Sequence, residues 1–480
     1  MGSGAGATAS GALAHARPRV AFYGDDFTGS TDTLAAAVTG GWRAALFMDV
    51  PSAEDLRRHG ALDCIGVAGS ARSLSPAAMD RVLPRIFSGL AATGAAVLHY
   101  KTCSTFDSAP HVGSIGHAAM LARAALRRTA DAPPAPAYIV GGQPNLGRYC
   151  AYANLYARAG QDGGIHRIDR HPTMRHHPVT PMDEADLRVH LGRQGLRPWS
   201  FDAEMLELPE AEQDVRLDAM LREGADAVLF DVTRPAHLAA IGRLLWARCP
   251  GDGPLLALGP TGVVQALLAG TGAGSPASMA AGGADKAQAA SGPTAASGGR
   301  VSPAAVAQTF IVAGSRSPVT AAQIDRSVQD GFVSVEADPA ALARHGEGHD
   351  ESVVADLVAR IVDALRTGRS VVAHTTFADA GAALRPGYTQ ALAVGSGRLM
   401  RDVLARHPLR RVGFAGGDTS SLAVQSWGIA ALTLAYVLAP GVAVCRIDAP
   451  GQDLDGVELM LKGGQMGPPA LFSDLLAGSA

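Results

Sequence analysis

Two adjacent carboxylates stand where the chain first changes character. Gly24-Asp25-Asp26-Phe27-Thr28-Gly29 follows the apolar run Arg19 to Tyr23 and opens a helical pattern from Thr28 to Thr39. At the carboxyl end of a parallel strand, open α/β sheets place their ligands, and a helix start there offers free N–H groups to an anion. Adjacent residues of an extended segment point opposite ways, so Asp25 and Asp26 cannot share one task. One is expected to cap the helix and the other to face a cleft; a pair that serves only as caps is the plainer alternative.

Lysine usage marks two further places. Of 41 basic residues only three are lysine: Lys101, Lys286 and Lys462. A compact ammonium suits a point contact with phosphate or carboxylate where a guanidinium fork is too large. Lys101 ends the run Val97 to Tyr100 and is followed by Thr102-Cys103-Ser104-Thr105-Phe106-Asp107, with Gly113-Ser114-Ile115-Gly116 leading into a helix. One positive charge among many short hydroxyl and backbone donors is what a small polyhydroxylated carboxylate needs. The stretch Gly141-Gly142-Gln143-Pro144-Asn145-Leu146-Gly147-Arg148 and the group around His171, His176 and His177 add anion and hydroxyl ligands. Prolines between and after the histidines oppose a regular metal-binding face, so Arg148 and His177 are read as substrate-orienting residues rather than metal ligands.

Three pieces of the second half have the composition of a phosphate cradle, in which glycines admit close backbone approach and hydroxyls add donors. They are Ala313-Gly314-Ser315-Arg316-Ser317, Gly416-Gly417-Asp418-Thr419-Ser420-Ser421 and Lys462-Gly463-Gly464-Gln465. No GxxxxGK[ST] occurs, nor the protein-kinase HRD and DFG set, and no GxGxxG follows the first strand.

The elements that must position these residues alternate. Short β-forming runs (Ala44 to Met48, Val97 to Tyr100, Tyr138 to Val140, Ala227 to Phe230, Phe310 to Ala313, Val371 to His374, Val412 to Ala415) are separated by helical patterns such as Val353 to Leu365 and Gly395 to Arg406. This rhythm predicts an α/β protein of two domains, each a mostly parallel sheet flanked by helices. From Gly270 to Arg300, 26 of 31 residues are Ala, Gly, Ser, Pro or Thr. Such a segment buries too little apolar surface to offset its ordering entropy. The expected organisation is a disordered lead-in (1–17), an acid-binding domain (18–269), a low-complexity linker (270–305) and a nucleotide-binding domain (306–480).

Charge and composition bound the partners. With 41 basic and 44 acidic residues, net −3, the chain has no basic field for nucleic acid or an anionic membrane surface, and no window is long and apolar enough to span a bilayer. The five cysteines are dispersed without a CxxC pair, which fits a reducing, cytoplasmic setting. A small-molecule ligand is the expected partner, with homo-oligomerisation left open.

At these residues the sequence resembles the four-carbon acid sugar kinase family. Asp25-Asp26-Phe27-Thr28-Gly29 is similar to the family's opening motif, Lys101 through Asp107 to its KxxST element, and Gly416-Gly417-Asp418-Thr419-Ser420 to its glycine-rich nucleotide motif. The resemblance implies an acid sugar held by the N-terminal domain and ATP held by the C-terminal one, facing each other across a cleft that holds the active site; ATP chemistry in turn implies Mg2+. It places Asp25, Asp26, Thr28, Gly29, Lys101, Ser104, Thr105, Asp107, Asn145, Arg148 and His177 on the sugar-acid side. Ser315, Gly416, Gly417, Asp418, Thr419, Lys462, Gly463 and Gly464 fall on the nucleotide side. Asp26 is the expected base with Asp25 second, and Lys101 holds the acid or the incoming phosphate. Cys103 and Asp107 depart from many members and, with His177-Pro178-Val179-Thr180-Pro181-Met182, resemble the 3-oxo-tetronate kinase branch. Gly141 through Arg148 and Lys462-Gly463-Gly464-Gln465 resemble relatives acting on branched keto acids such as 3-oxo-isoapionate, so both substrates remain open. A dinucleotide-dependent oxidoreductase and a non-catalytic sugar-acid binding protein are the rival readings.

Overall fold

The computed structural model describes residues 17–127, 134–160, 163–177, 179–271, 303–315, 317–348, 351–375 and 387–478. The expected lead-in, apart from its last residue, and positions 272–302 of the expected linker lie outside the described residues.

The N-terminal part contributes β1 (Val20–Gly24), β2 (Ala44–Phe47), β3 (Cys64–Ala68), β4 (Val97–Lys101), β5 (Ala137–Val140), β6 (Arg148–Ala151), β7 (Asn154–Arg158), β8 (Ile165–Arg167), β9 (Trp199–Phe201), β10 (Ala227–Phe230) and β11 (Leu255–Gly259). The C-terminal part contributes β12 (Phe310–Ala313), β13 (Val333–Glu336), β14 (Val371–His374), β15 (Arg411–Ala415), β16 (Ala431–Ala439), β17 (Val442–Asp448) and β18 (Glu458–Lys462). The central strands β1, β3, β4, β11, β12 and β15 are buried along their whole length, as apolar runs covered by helices on both faces must be. Several helices begin where the sequence supplies caps. Ser75 precedes Pro76, Ser317 precedes Pro318 and Asp338 precedes Pro339, each with a side-chain oxygen accepting a first-turn N–H.

Instead of two separate sheets, the strands form one 15-stranded sheet in the order β13-β14-β12-β15-β18-β17-β16-β2-β3-β1-β4-β11-β5-β10-β9. The two parallel halves are joined through the antiparallel run β18-β17-β16, whose last strand pairs antiparallel with β2 through Ala431 opposite Phe47 and Leu432 opposite Leu46. One apolar cluster accordingly crosses the boundary, containing Leu34 and Leu46 with Leu432, Ile447 and Leu461. A separate antiparallel sheet, β6-β7-β8, stands off the N-terminal part.

This order fixes where chemistry can sit. β1 lies between β3 and β4, all parallel, so the residues after each of the three converge at one sheet edge. β15 lies between β12 and β18, also parallel, which makes a second convergence.

Candidate active site

The helix Phe27–Thr39 starts immediately after β1, and its N-cap is Asp26, whose Oδ1 accepts from Gly29 N at 2.7 Å. Of the two aspartates, Asp26 is the one that caps the helix. Its Oδ2 meets Arg72 Nη2 at 2.5 Å, and its Oδ1 lies 3.8 Å from Lys101 Nζ. Asp25 is more deeply buried, 3% exposed, beneath Arg72, which donates from Nη2 to its Oδ1 at 3.1 Å.

Three strand ends therefore supply one charge cluster. Asp25 and Asp26 follow β1, Arg72 sits in the short turn after β3, and Lys101 ends β4. Asp107 joins them 3.9 Å from Arg72 Nη1, with Thr105 Oγ1 donating to its Oδ1. The surrounding charges separate the carboxylates. Burial pushes Asp26 up, but Arg72, Lys101 and the Gly29 N–H together outweigh it and hold the carboxyl below its ordinary range. At Asp25 burial prevails, reinforced by the charge of Asp26, and its carboxyl is held above that range despite Arg72. Asp107 is likewise buried yet held low by Arg72, Thr105, Cys103 and His177. Burial and the charge of Asp107 push the Cys103 thiol up to about 12, so it acts as a hydrogen-bonding group rather than a nucleophile.

Gly29 makes the cluster sterically feasible. A Cβ there would lie 1.7 Å from Lys101 Nζ and 2.5 Å from Asp26 Oδ1, so only glycine lets the ammonium lie against the first helical turn.

On the nucleotide side, Ser315 follows β12, Gly416 and Gly417 follow β15, and Lys462 with Gly463 ends β18. Gly416 has φ +138° and is the N-cap of the helix Gly417–Gln425; without a side chain it leaves the first N–H groups of that helix to an outside acceptor. A Cβ on Gly464 would lie 2.5 Å from Ser315 Oγ, so the turn after β18 presses against the turn after β12. The side chains of Asp418 and Thr419, like Arg316 and Pro178, lie outside what the structure describes.

The two convergences face each other. Thr28 Cγ2 lies 3.8 Å from where a Cβ of Gly463 would stand, and Thr28 Oγ1 lies 3.9 Å from that of Gly417. This hydroxyl is buried without a hydrogen-bond partner among the described residues, so its donor is free at the junction of the two convergences. Thr28, expected on the sugar-acid side, thus stands between both sets of groups.

The remaining expected residues are placed less centrally. Ser104 is half-buried in the turn after β4. His177 is oriented by Thr180, whose N–H and hydroxyl meet its Nδ1 at 3.1 Å each. Arg148 spends Nη1 on the carbonyls of Leu146 and Arg158 at 2.8 and 3.2 Å, while its Nε is buried without a partner among the described residues. Burial holds its guanidinium below the ordinary range, with Cys103 and Asp107 near enough to act against that. Asn145 is exposed and accepts from Gln265 at 3.1 Å. The Gly113 to Gly116 helix start is not open to a ligand, because Gln194 Oε1 accepts from Ile115 N at 2.8 Å.

Lys462, expected on the nucleotide side, is engaged within the protein itself. It is 0% exposed, and its ammonium points behind the loop to Thr320 Oγ1 at 2.9 Å, Gln323 Oε1 at 2.6 Å and the Gly464 carbonyl at 3.4 Å. Arg72 is the principal group that sequence reading missed.

The family description "Sugar-binding N-terminal domain" matches residues 20–267, and "Nucleotide-binding C-terminal domain" matches residues 310–472. The chain belongs to the four-carbon acid sugar kinase family. It is 37% identical over 470 residues to a 3-oxo-isoapionate kinase of Paraburkholderia graminis, covering 94% of this chain and 93% of the relative. It is 31% identical over 491 residues to a 3-oxo-tetronate kinase of Cupriavidus necator, covering 97% and 98%. The fold is shared with a Salmonella typhimurium LT2 protein described as a tRNA synthase, at TM-score 0.69, 22% identity and coverage of 96% and 98%. In this family, then, the Asp26 and Lys101 cluster lies in the sugar-binding part and the Gly416 and Gly463 turns in the nucleotide-binding part. No helix among the described residues is long and apolar enough to cross a membrane.

Proposed function

We propose that this chain transfers the γ-phosphoryl group of ATP to a terminal hydroxyl of a small oxo-substituted sugar acid, and that a branched acid such as 3-oxo-isoapionate is its preferred substrate. The observation that carries the reading is the position of Thr28, one residue beyond Phe27 at the start of the acid-side helix, against the two glycine turns of the nucleotide side. The relatives' kinase names favour phosphoryl transfer over the oxidoreductase and binding-protein readings.

In the proposed reaction the substrate hydroxyl oxygen attacks the γ-phosphorus, the bond to the β–γ bridging oxygen breaks, and ADP leaves with that electron pair. The hydroxyl proton passes to Asp26. A loose transition state demands little proton transfer until bond formation is advanced, so a carboxylate held low still serves, chiefly by aligning the hydroxyl. Lys101 supplies a localised charge to the substrate carboxylate or the passing phosphoryl group. Arg72 keeps Asp26 ionised and fixed, which pre-pays the cost of orientation. The N–H groups opening the helix Gly417–Gln425, with Ser315 and Gly463, receive the phosphates.

Mg2+ would neutralise charge on the ATP phosphates and be held largely by them, since Asp25, Asp26 and Asp107 are already engaged by Arg72; among the described residues no three His, Cys, Asp or Glu side chains are grouped to hold a metal.

The branched preference rests on the more similar relative and on a cavity of about 410 Å3 that spans both halves, lined by Asn145, Arg148, Arg158, Pro440, Gln465 and Met466 among others. We place the reaction in the cytoplasm, where ATP is available and the five free cysteines stay reduced. ADP release measured with ATP and a panel of oxo acids tests the whole reading. Release with 3-oxo-isoapionate at the highest kcat/KM supports it; a higher value for 3-oxo-tetronate overturns the branched preference, and no release with any oxo acid overturns the function.

A further inference from the structure

Lys462 is one of three lysines in the chain, yet it is fully buried, and no described carboxylate lies within ion-pair distance. Burying an ammonium is costly unless its protons are satisfied, so its surroundings must return something. They consist of the first turns of the helix Pro318–Gln329 and the turn that follows β18. Lys462 Nζ donates to Thr320 Oγ1 and Gln323 Oε1 on that helix and to the Gly464 carbonyl on the turn. The same two helix residues then hold the turn themselves. Thr320 Oγ1 donates to the Gly464 carbonyl at 3.0 Å, and Gln323 Nε2 donates to the carbonyls of Met466, Gly467 and Pro468 at 3.0, 3.1 and 3.0 Å.

The directions of these bonds are set by the ammonium. Lys462 is donor only, so it fixes Gln323 with its oxygen inward and its amide N–H2 toward the turn, and it commits Thr320 to donating outward. On the other face of the turn, Gly464 presses on Ser315 and Gly463 lies against Thr28. A turn between the phosphate-binding elements is thereby pinned from behind by one cation.

We propose that Lys462 is a positioning residue for nucleotide binding: with Thr320 and Gln323 it locks the Gly463 to Pro468 turn in the shape that receives the ATP phosphates, while its charge lies behind that turn. The inference rests on the nucleotide reading of the C-terminal half and deepens it. The groups packed around the ammonium are neutral among the described residues: Ala415 opposite it on β15, Val442 and Ala443 at that end of β17, and Thr320 and Gln323 on the helix. Burial in that setting pushes Lys462 down to about 7, which makes the lock sensitive to pH. As pH rises through that value the ammonium loses a proton, one donor and its charge, and ATP binding weakens.

The test is a titration of Mg·ATP, without sugar acid, against the full chain, Lys462→Met, Lys462→Arg and Thr320→Val, from pH 6 to pH 9. The wild-type Kd is expected to rise across pH 7. Lys462→Met is expected to bind roughly ten- to a hundredfold more weakly, the scale of a lost charge-assisted contact, with a flat pH profile. Thr320→Val, which leaves the ammonium in place, is expected to lose part of the affinity and to retain the pH dependence, and it serves if Lys462→Met fails to fold. Lys462→Arg is expected to bind as weakly as Lys462→Met, because a fork does not fit the site of a single Nζ. A wild-type pH profile in Lys462→Met, or wild-type affinity in Thr320→Val, overturns the proposal. Failure of the kinase reading is separate: it shows as Mg·ATP binding without turnover of any oxo acid, and leaves these titrations decisive.

Discussion

The backbone N–H of Phe27 donates to Ser421 Oγ at 3.2 Å, and the same Ser421 hydroxyl donates to the Gly417 carbonyl at 2.8 Å. Phe27 is the first residue of the acid-side helix capped by Asp26, and Gly417 is the first of the nucleotide-side helix. A single hydroxyl thus ties the two helix starts together, with Ser421 lying 394 residues beyond Phe27 in sequence. A phosphate received at Gly417, as proposed, would have a short mechanical route to the carboxylate beside Phe27.

Ser421→Ala removes that tie without changing charge. A net hydrogen bond of this kind contributes about 1 kcal/mol, a factor of roughly five. The expected loss is in coupling: binding of the sugar acid with a non-hydrolysable ATP analogue present should tighten roughly fivefold less in the variant than in the wild type, while each ligand alone binds nearly as before. Calorimetric titration of one ligand at zero and saturating levels of the other measures it. Equal coupling in both proteins would show that the two sites communicate by another path.

Asp26→Asn should lower kcat by at least about a hundredfold, the scale of a lost general base, with ATP affinity little changed. Asparagine also caps helices well, so the helix Phe27–Thr39 should persist and the loss be chemical. Asp25→Asn should be milder, because Asp25 is buried beneath Arg72 and its carboxyl is held above the ordinary range by burial and by Asp26. Steady-state kinetics of the pair decide the assignment: a dead Asp25→Asn beside an active Asp26→Asn reverses it.

Much of this site was legible in the sequence because its residues follow strands whose apolar runs are continuous, as at Val20–Gly24 and Val97–Lys101. What the sequence did not carry was orientation and adjacency. Arg72 is one of 38 arginines (41 basic residues less three lysines) and sits in an ordinary Ser-Ala-Arg-Ser turn; only the pairing of β3 beside β1 brings it to the aspartates. Lys462 was conspicuous by rarity, but its side chain projects behind the sheet edge that Gly463 lines, and neutral Thr320 and Gln323 gave no signal. The fusion of two sheets through Ala431 and Phe47 depends on pairing between segments far apart in the chain, which local periodicity does not encode.

Gly29→Ala tests the close packing under Lys101. The added methyl would stand 1.7 Å from Nζ, so the ammonium must move off the helix start and away from Asp26. Lys101→Met removes the charge outright. Both variants are expected to raise the KM for the sugar acid or lower kcat by roughly ten- to a hundredfold, with Mg·ATP binding in the absence of sugar retained. Equal damage to ATP binding from Lys101→Met and Lys462→Met would sink the two-sided cleft and leave a single mixed site.

Arg72→Met should invert the pH dependence of the site. In the wild type, Asp26 and Asp107 are held below the ordinary carboxylate range by Arg72 together with their other partners. A depressed carboxylate contributes stability that is present above its unfolded pKa, near 3.9, and is lost as pH falls through the lower folded value. The wild-type protein should therefore keep these contributions at pH 5 and lose them only in stronger acid. Without Arg72, three buried carboxylates lie close together with Lys101 beside Asp26 and His177 near Asp107 to offset them, and burial then raises their folded values above the unfolded one. A raised carboxylate is most favourable below its unfolded pKa, and that favour is lost as pH rises through the folded value. Arg72→Met should accordingly be destabilised at pH 7 by about 3 kcal/mol, the scale of breaking a buried ion pair, and should regain stability as pH falls from 7 to 5. Urea unfolding at both pH values measures this, and the acid limb of kcat should move to higher pH in the same variant, since Asp26 must be ionised to take the proton. An Arg72→Met protein whose stability still falls on acidification, with an unmoved acid limb, would show that Lys101 and the Gly29 N–H alone keep Asp26 charged.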